Sequence, residues 1–293
     1  MSKSNVDYRP GQGAAVAALF AGATVWGLIW YPYRLLEAVG ISGALATALT
    51  YAVALVLGLV LFAGKLRGVR VDGWLVAIAF SAAGCNLGYV LGMLHGEVMR
   101  VLLLFYLAPL WTVLLARLLL GERLTLAGAV LVGLSLAGAA VMLWRPELGA
   151  PWPNALGEWI GLIAGLLFAL SNVLIRRAHH YTIELKSMAV FVGVVVVGMG
   201  YVALAEPVVM PDVSVGIWAL MAAIGVVLLV INLVVQYGLT RITAGRAVVI
   251  LLSELMVAAA ASWWLAGETM GVREWLGGAL IAAASLISAR LES

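Results

Sequence analysis

Ten stretches of roughly twenty apolar residues leave this chain little choice of fold. In a bilayer core no water meets the backbone, so each stretch must pair its own N–H and C=O groups as a helix. The stretches run over about 14–33, 44–63, 74–94, 101–120, 126–143, 158–175, 187–204, 216–237, 247–265 and 275–289. Most connections between them are short, and no soluble domain fits anywhere. Composition agrees: 65% of residues are hydrophobic and 11% charged, where a soluble domain is nearer half and a quarter. The net charge is +3, without a basic cluster that would suit nucleic acid. Met1 to Gly13 is polar and lacks the order of a signal peptide, so the first span is expected to persist. The lone Cys85 cannot form an internal disulfide.

Lys and Arg orient the spans, because they accumulate on the cytoplasmic side. With the N-terminus inside, 13 of the 17 fall on cytoplasmic segments; Arg34, Arg100, Arg145 and Arg273 fall outside. Trp144, Trp152, Trp159, Trp218, Trp263, Trp264 and Trp275 fall near outer boundaries, where indole rings prefer to sit.

The chain also repeats itself. Arg100 opens an apolar run that closes with Gly121-Glu122, and Arg246 opens one that closes with Gly267-Glu268, 146 positions on. Asn86-Leu87 and Gly92 recur as Asn232-Leu233 and Gly238 at the same offset. Ala21-Gly22 and Arg34 recur as Ala164-Gly165 and Arg177 at an offset of 143. Five spans per half is an odd number, so the second half starts from the opposite face. The expected fold class is an all-α polytopic membrane protein of ten transmembrane helices, arranged as two inverted five-helix repeats, N-in and C-in. A cytoplasmic N-terminal tail (1–13) precedes the first repeat (14–144). A periplasmic linker (145–157) carrying Pro146, Pro151 and Pro153 leads to the second repeat (158–289) and a cytoplasmic C-terminus (290–293). Secondary transporters that alternate access around a midplane site are built this way.

Glu254 lies about 3 Å from the centre of the ninth span at 1.5 Å per residue. A carboxylate at that depth marks a substrate pathway or a coupling group; a structural hydrogen bond to a neighbouring helix is the other reading. Ser253 is either a ligand or a hydroxyl bonded back to its own helix. Asn232 and Gln236 are four apart and share a face. Asn86 and Tyr89 share a face of the third span, and Ser171-Asn172 lie in the sixth. One such amide serves well as an inter-helix bond worth about 1 kcal/mol or less. Three amide-bearing spans, two of them repeat-equivalent, point to a shared polar cavity around a small-molecule substrate.

Pro109 removes a backbone bond inside the fourth span and predicts a kink there, a hinge candidate or a tolerated distortion. Tyr106, one turn earlier, is a cavity hydroxyl or filler, and Trp26 is a cavity wall or packing. Gly84, Gly88, Gly92 and Gly96 recur every four residues, as do Gly157, Gly161 and Gly165, and such faces let helices approach closely. Glu122 and Glu268 are expected to cap loops or pair with nearby basic groups.

No GxxxxGK[ST] loop is present and the lysines number three, so the chain shows no ATPase and implies no ATPase subunit. His95, His179 and His180 lie near span ends and form no metal motif. No catalytic constellation appears, so neither enzyme activity nor a cofactor is expected.

Several phrases carry a family resemblance. A proline within the fourth span, in Tyr106-Leu107-Ala108-Pro109, and "LLLGERLTLAGAVLVGLSLAGAAVML" from Leu118 resemble the EamA domain of the drug/metabolite transporter superfamily. "LAGETMGVREWLGGALIAAASLIS" from Leu265 is similar in the second half, and "VWGLIWYPYRLL" from Val25 in the first span. The resemblance implies a multi-pass exporter of small metabolites in the bacterial inner membrane, its partners being the lipid bilayer and a small solute such as an amino acid. Among members, the aromatic amino-acid exporter is the first comparison, since the candidates are amides, hydroxyls and aromatic rings with few charges. Exporters of other metabolites or drugs, or a non-transporting scaffold, are the alternatives. One departure stands out: the family often has a proline at the centre of the second copy, and Glu254-Leu255 stands there.

Overall fold

The structure is a computed structural model and describes residues 12–66, 71–96, 98–144, 146–148, 152–205, 214–265 and 271–290. Most of the tail expected at 1–13, parts of the linker expected at 145–157, most of the C-terminus at 290–293, and Gly267-Glu268 lie outside the described residues.

Among the described residues the regular structure is helical. In chain order the α-helices are α1 (Gln12–Ala38), α2 (Gly43–Leu66), α3 (Gly73–His95), α4 (Val98–Phe105), α5 (Ala108–Leu120), α6 (Leu126–Leu143), α7 (Leu156–Arg177), α8 (Ile183–Ala205), α9 (Val215–Leu239), α10 (Ala244–Leu251), α11 (Glu254–Leu265) and α12 (Val272–Arg290). Helix pairs α4–α5 and α10–α11 each act as one span. Nine spans among the described residues are long and apolar enough to cross a membrane, and a shorter apolar helix, Trp275–Ser288, follows them. The chain is a multi-pass membrane protein. Val60, Leu118 and Phe80 stand 72%, 70% and 66% exposed, as a lipid-facing surface requires.

Helix ends follow from local chemistry. Asp72 caps α3 by accepting from the backbone N–H groups of Trp74 and Leu75 at 3.0 and 3.1 Å. Gly121 closes α5 in the left-handed region at φ 69°, and Thr125 opens α6 four residues later.

Lipid offers helices little hydrophobic drive to associate, so close van der Waals packing has to hold them together. The two glycine stripes legible in the sequence face one another across α3 and α7. A Cβ on Gly92 would lie 3.2 Å from the Gly157 carbonyl oxygen and 3.3 Å from the Gly161 nitrogen; one on Gly88 would lie 3.1 Å from the Ala164 Cβ. Gly138 and Gly277 do the same for α6 and α12, with a Cβ on Gly138 only 2.7 Å from the Gly277 carbonyl. The two halves of the chain interleave: α7 packs on α3, α4 and α5, while α1 packs on α9, α10 and α11.

Polar ties gather at one end. Glu122 pairs with Arg176, and its other oxygen accepts the Ala244 backbone N–H at 3.0 Å, which caps α10. Arg176 also donates to the Ile242 carbonyl at 2.5 Å. Fully buried Lys186 donates to the Ile175 carbonyl at 3.1 Å.

Replacing Gly92 by leucine should destabilise the protein by about 1–3 kcal/mol or more through overpacking, read as a lower unfolding temperature in detergent. The Tyr181 hydroxyl, then the Leu75 and Trp74 N–H groups, hold the Asp72 carboxyl below the usual carboxylate range. Its contribution is therefore complete above about pH 4 and lost as pH falls through the lower folded value. An unfolding series from pH 7 downward should show that loss, and Asp72→Asn should remove its part of the acid slope.

Candidate functional site

Two helix breaks build the site. The first separates Phe105 from Ala108 and the second separates Leu251 from Glu254, again 146 positions apart. Pro109 makes the first: it has no N–H for the Phe105 carbonyl, and the chain tightens, with Leu107 N–H bonding Leu104 and Leu110 N–H bonding Leu107. The second break contains no proline, and its ninth span was expected to be continuous. There the Ser253 hydroxyl donates to the Ile250 carbonyl at 2.7 Å, and the Ser253 N–H donates to the same oxygen at 3.1 Å. The Leu255 N–H then goes to Leu252 rather than Leu251, which leaves the helical ladder.

Glu254 thus opens α11 instead of sitting mid-helix. The Tyr106 hydroxyl, lying in the first break, donates to Glu254 Oε1 at 2.6 Å. A single hydrogen bond therefore joins the two breaks across 148 residues of sequence. Tyr106 is buried and Glu254 half-buried. The Phe105 ring packs against Tyr89, Tyr106 and Phe168, with ring centres 5.2, 5.3 and 5.7 Å away. Cys85 and Tyr89 lie within electrostatic reach of the Glu254 carboxylate. Lys65–Glu184 and Arg176–Glu122 form ion pairs, and neither involves Glu254.

Two glycines admit the neighbouring helices. A Cβ on Gly27 would sit 2.7 Å from the Glu254 carbonyl oxygen and 3.0 Å from the Ala258 nitrogen, so α1 lies against the first turn of α11. Gly165 brings α7 onto the Phe105 carbonyl, the acceptor that Pro109 leaves without a helical donor.

Tyr89, Tyr106, Pro109, Ser253 and Glu254 therefore come together at or beside the breaks. The amides do not hydrogen-bond into that centre. Asn86 accepts from the buried Tyr51 hydroxyl at 3.1 Å and donates to the Ala82 carbonyl at 2.8 Å. Asn232 accepts a long 3.5 Å bond from Gln236 on its own helix. The Asn172 Nδ2 and Gln236 Oε1 atoms are buried without a hydrogen-bond partner among the described residues. Ser171 is buried, and half-buried Trp26 packs on the large apolar core. No group of three or more His, Cys, Asp or Glu that could hold a metal occurs among the described residues. An apolar groove of about 400 Å³ lies elsewhere, between α2, α3 and α8 along Leu59, Phe80, Met188 and Val196.

The residues that reading the sequence passed over are Phe105, Phe168, Gly27 and the break at Ser253. The break had a signal: carried forward 146 positions, the turn before Pro109 lands on Leu252-Ser253.

Residues 13–144, and again 155–290, match the EamA-like transporter family. The chain belongs to that family. An uncharacterized transporter of Archaeoglobus fulgidus is 28% identical to this EamA-family chain over 204 residues, 69% of the chain and 71% of the relative. A solved crystal structure superposes with a TM-score of 0.76 at 20% identity, over 95% of this chain and 99% of that one. That likeness is one of fold.

Tyr106→Phe should lower stability by about 1–3 kcal/mol, because it strips the carboxylate of its donor. Glu254→Gln should cost less, since the amide oxygen still accepts the same bond. Unfolding midpoints of the two variants in one detergent would test that order.

Proposed function

We propose that this EamA-family transporter is a secondary exporter of small organic solutes, amino acids including aromatic ones among them. It works by alternating access in the cell inner membrane. The observation that carries the reading is the Tyr106–Glu254 bond between two helix breaks at repeat-equivalent positions. Broken helices facing each other supply what a membrane site needs: irregular backbone, polar atoms and a charge at mid-span depth. Two inverted repeats would relate the breaks and give the centre access from either face in turn. Supporting that topology are the double family match, the reciprocal packing of α1 and α7, and the bias of Lys and Arg to one side.

Glu254 is the reading's substrate or coupling group, with Tyr106 holding it when the site is empty. Pro109 and Ser253 mark the hinges. Asn86, Asn172, Asn232 and Gln236 belong to the polar path beside the centre, where the unpaired Asn172 and Gln236 atoms leave bonding capacity for a passing solute. Trp26 and Ser171 line the path on α1 and α7.

The purified protein in liposomes should move at least some members of an amino-acid panel, with a rate that responds to an imposed pH gradient. Glu254→Gln should lower that rate by about tenfold or more, equivalent to roughly 1.4 kcal/mol on the barrier, while eluting like wild type and unfolding closer to it than Tyr106→Phe does. Unchanged transport with unchanged pH response in the variant would remove Glu254 from the mechanism.

A further inference from the structure

We infer that the chemical group recognised at the centre is an ammonium, so that the solutes taken are organic amines; this rests on the transporter reading above. A carboxylate accepts hydrogen bonds at about four lone-pair positions, and Tyr106 is the one hydrogen-bond donor to Glu254 among the described residues. Glu254 remains part-exposed. No basic side chain among the described residues forms an ion pair with it, yet a charge within a membrane span needs a partner. A visiting cation supplies that partner.

The surroundings decide which cation. A hard metal ion wants six or more oxygen ligands. Tyr106 and Glu254 supply three side-chain oxygens between them, short of such a set, and the Phe105, Tyr89 and Phe168 rings and Cys85 belong to the same packed cluster as Tyr106. Phe105, Tyr89 and Phe168 form a connected ring cluster next to the Tyr106–Glu254 pair. Ring faces attract ammonium and alkylated ammonium groups, more so where water is excluded. An organic cation thus finds a counter-charge in Glu254 and an apolar, polarisable wall in the rings. An amino acid brings its own carboxylate to a centre that already holds one. Decarboxylated amines therefore fit better than the amino acids from which they derive.

The test compares phenethylamine, its N,N,N-trimethyl derivative and phenylalanine, by calorimetry on the purified full chain in nanodiscs. Both amines are expected to bind at least about tenfold more tightly than phenylalanine, a difference near 1.4 kcal/mol. Glu254→Gln should weaken both amines by a similar factor. Tyr89→Leu, but not Tyr89→Phe, should weaken the trimethyl compound several-fold. Should Glu254→Gln fail to fold, phenethylamine should instead protect Glu254 of the wild type from carbodiimide modification, read by mass spectrometry. Phenylalanine binding as tightly as phenethylamine, no binding by any of the three, or absence of protection overturns the inference. Uptake of the same compounds into proteoliposomes separates the two readings. Amine binding without movement of any solute keeps the site and removes the transporter; movement of phenylalanine without amine binding does the reverse.

Discussion

A backbone that leaves the helical ladder inside a bilayer must find its partners in protein, because lipid offers none. Among the described residues the chain leaves the ladder twice within its spans, at Tyr106-Leu107 and at Leu252-Ser253. Much of the surrounding structure follows from sheltering those two points. The Phe105 carbonyl, deprived of a donor by Pro109, faces Gly165, where any side chain would force α7 away. Gly27 lets α1 lie against the first turn of α11. The Tyr106 side chain, which the first break aims out of the α4 axis, bonds the carboxylate that opens α11 at the second. Each break is thus closed partly by a helix from the other half of the chain.

The two breaks reach similar geometry by different chemistry. At the first, a missing N–H is covalent fact and no rearrangement restores it. At the second, the departure depends on a serine hydroxyl occupying the Ile250 carbonyl, a bond that a rotamer change can release. The half that carries Glu254 is therefore the half whose backbone can be re-formed. The Ile250 carbonyl, once Ser253 lets go, is open to the Glu254 N–H, and the Leu255 N–H exists to return to the Leu251 carbonyl. If the proposed centre takes a solute, a carboxylate mounted on such a break is where its occupancy would change local helix geometry.

Reading the sequence made some of this legible and left some hidden, for identifiable reasons. Apolar runs set the spans because lipid enforces helix along them wherever the protein does not shelter a break. The glycine stripes on α3 and α7 were visible because four-residue spacing survives any tertiary arrangement, and they meet each other. Glu122 was expected to cap or pair, and it does both, with Ala244 and Arg176. Glu254 and Tyr106 each stood out alone, but their bond spans 148 residues and leaves no local pattern. The second break escaped notice because a hydroxyl's choice of acceptor is decided by tertiary surroundings, whereas a proline declares itself. For the same reason the partnership of Asn86 with Tyr51, on a neighbouring helix, could not be read from the amide's position alone.

The helix α5 lies in the first half of the chain, yet it packs on α7 and α10 more than on its own neighbour α6. Its entry is tied to α11 through Tyr106 and Glu254, and its exit to α7 and α10 through Glu122. Between those ties Ala116 of α5 packs with Val173 and Ala244 in a small buried cluster. A helix fastened at both ends and in the middle to second-half elements moves with them unless those ties break. On the proposed alternating-access reading, the joint on the first-half side would then be the Tyr106-Leu107 turn before Pro109, rather than the loop between α5 and α6. Rocking one intact five-helix half against the other would have to break the central hydrogen bond and the Glu122 ties together. A motion that keeps α5 with α7 and α10, and bends at the turn before Pro109, preserves the outer tie and loads only the Tyr106–Glu254 bond. Glu254, the carboxylate at the second break, would then also be the contact on which the proposed rearrangement bears.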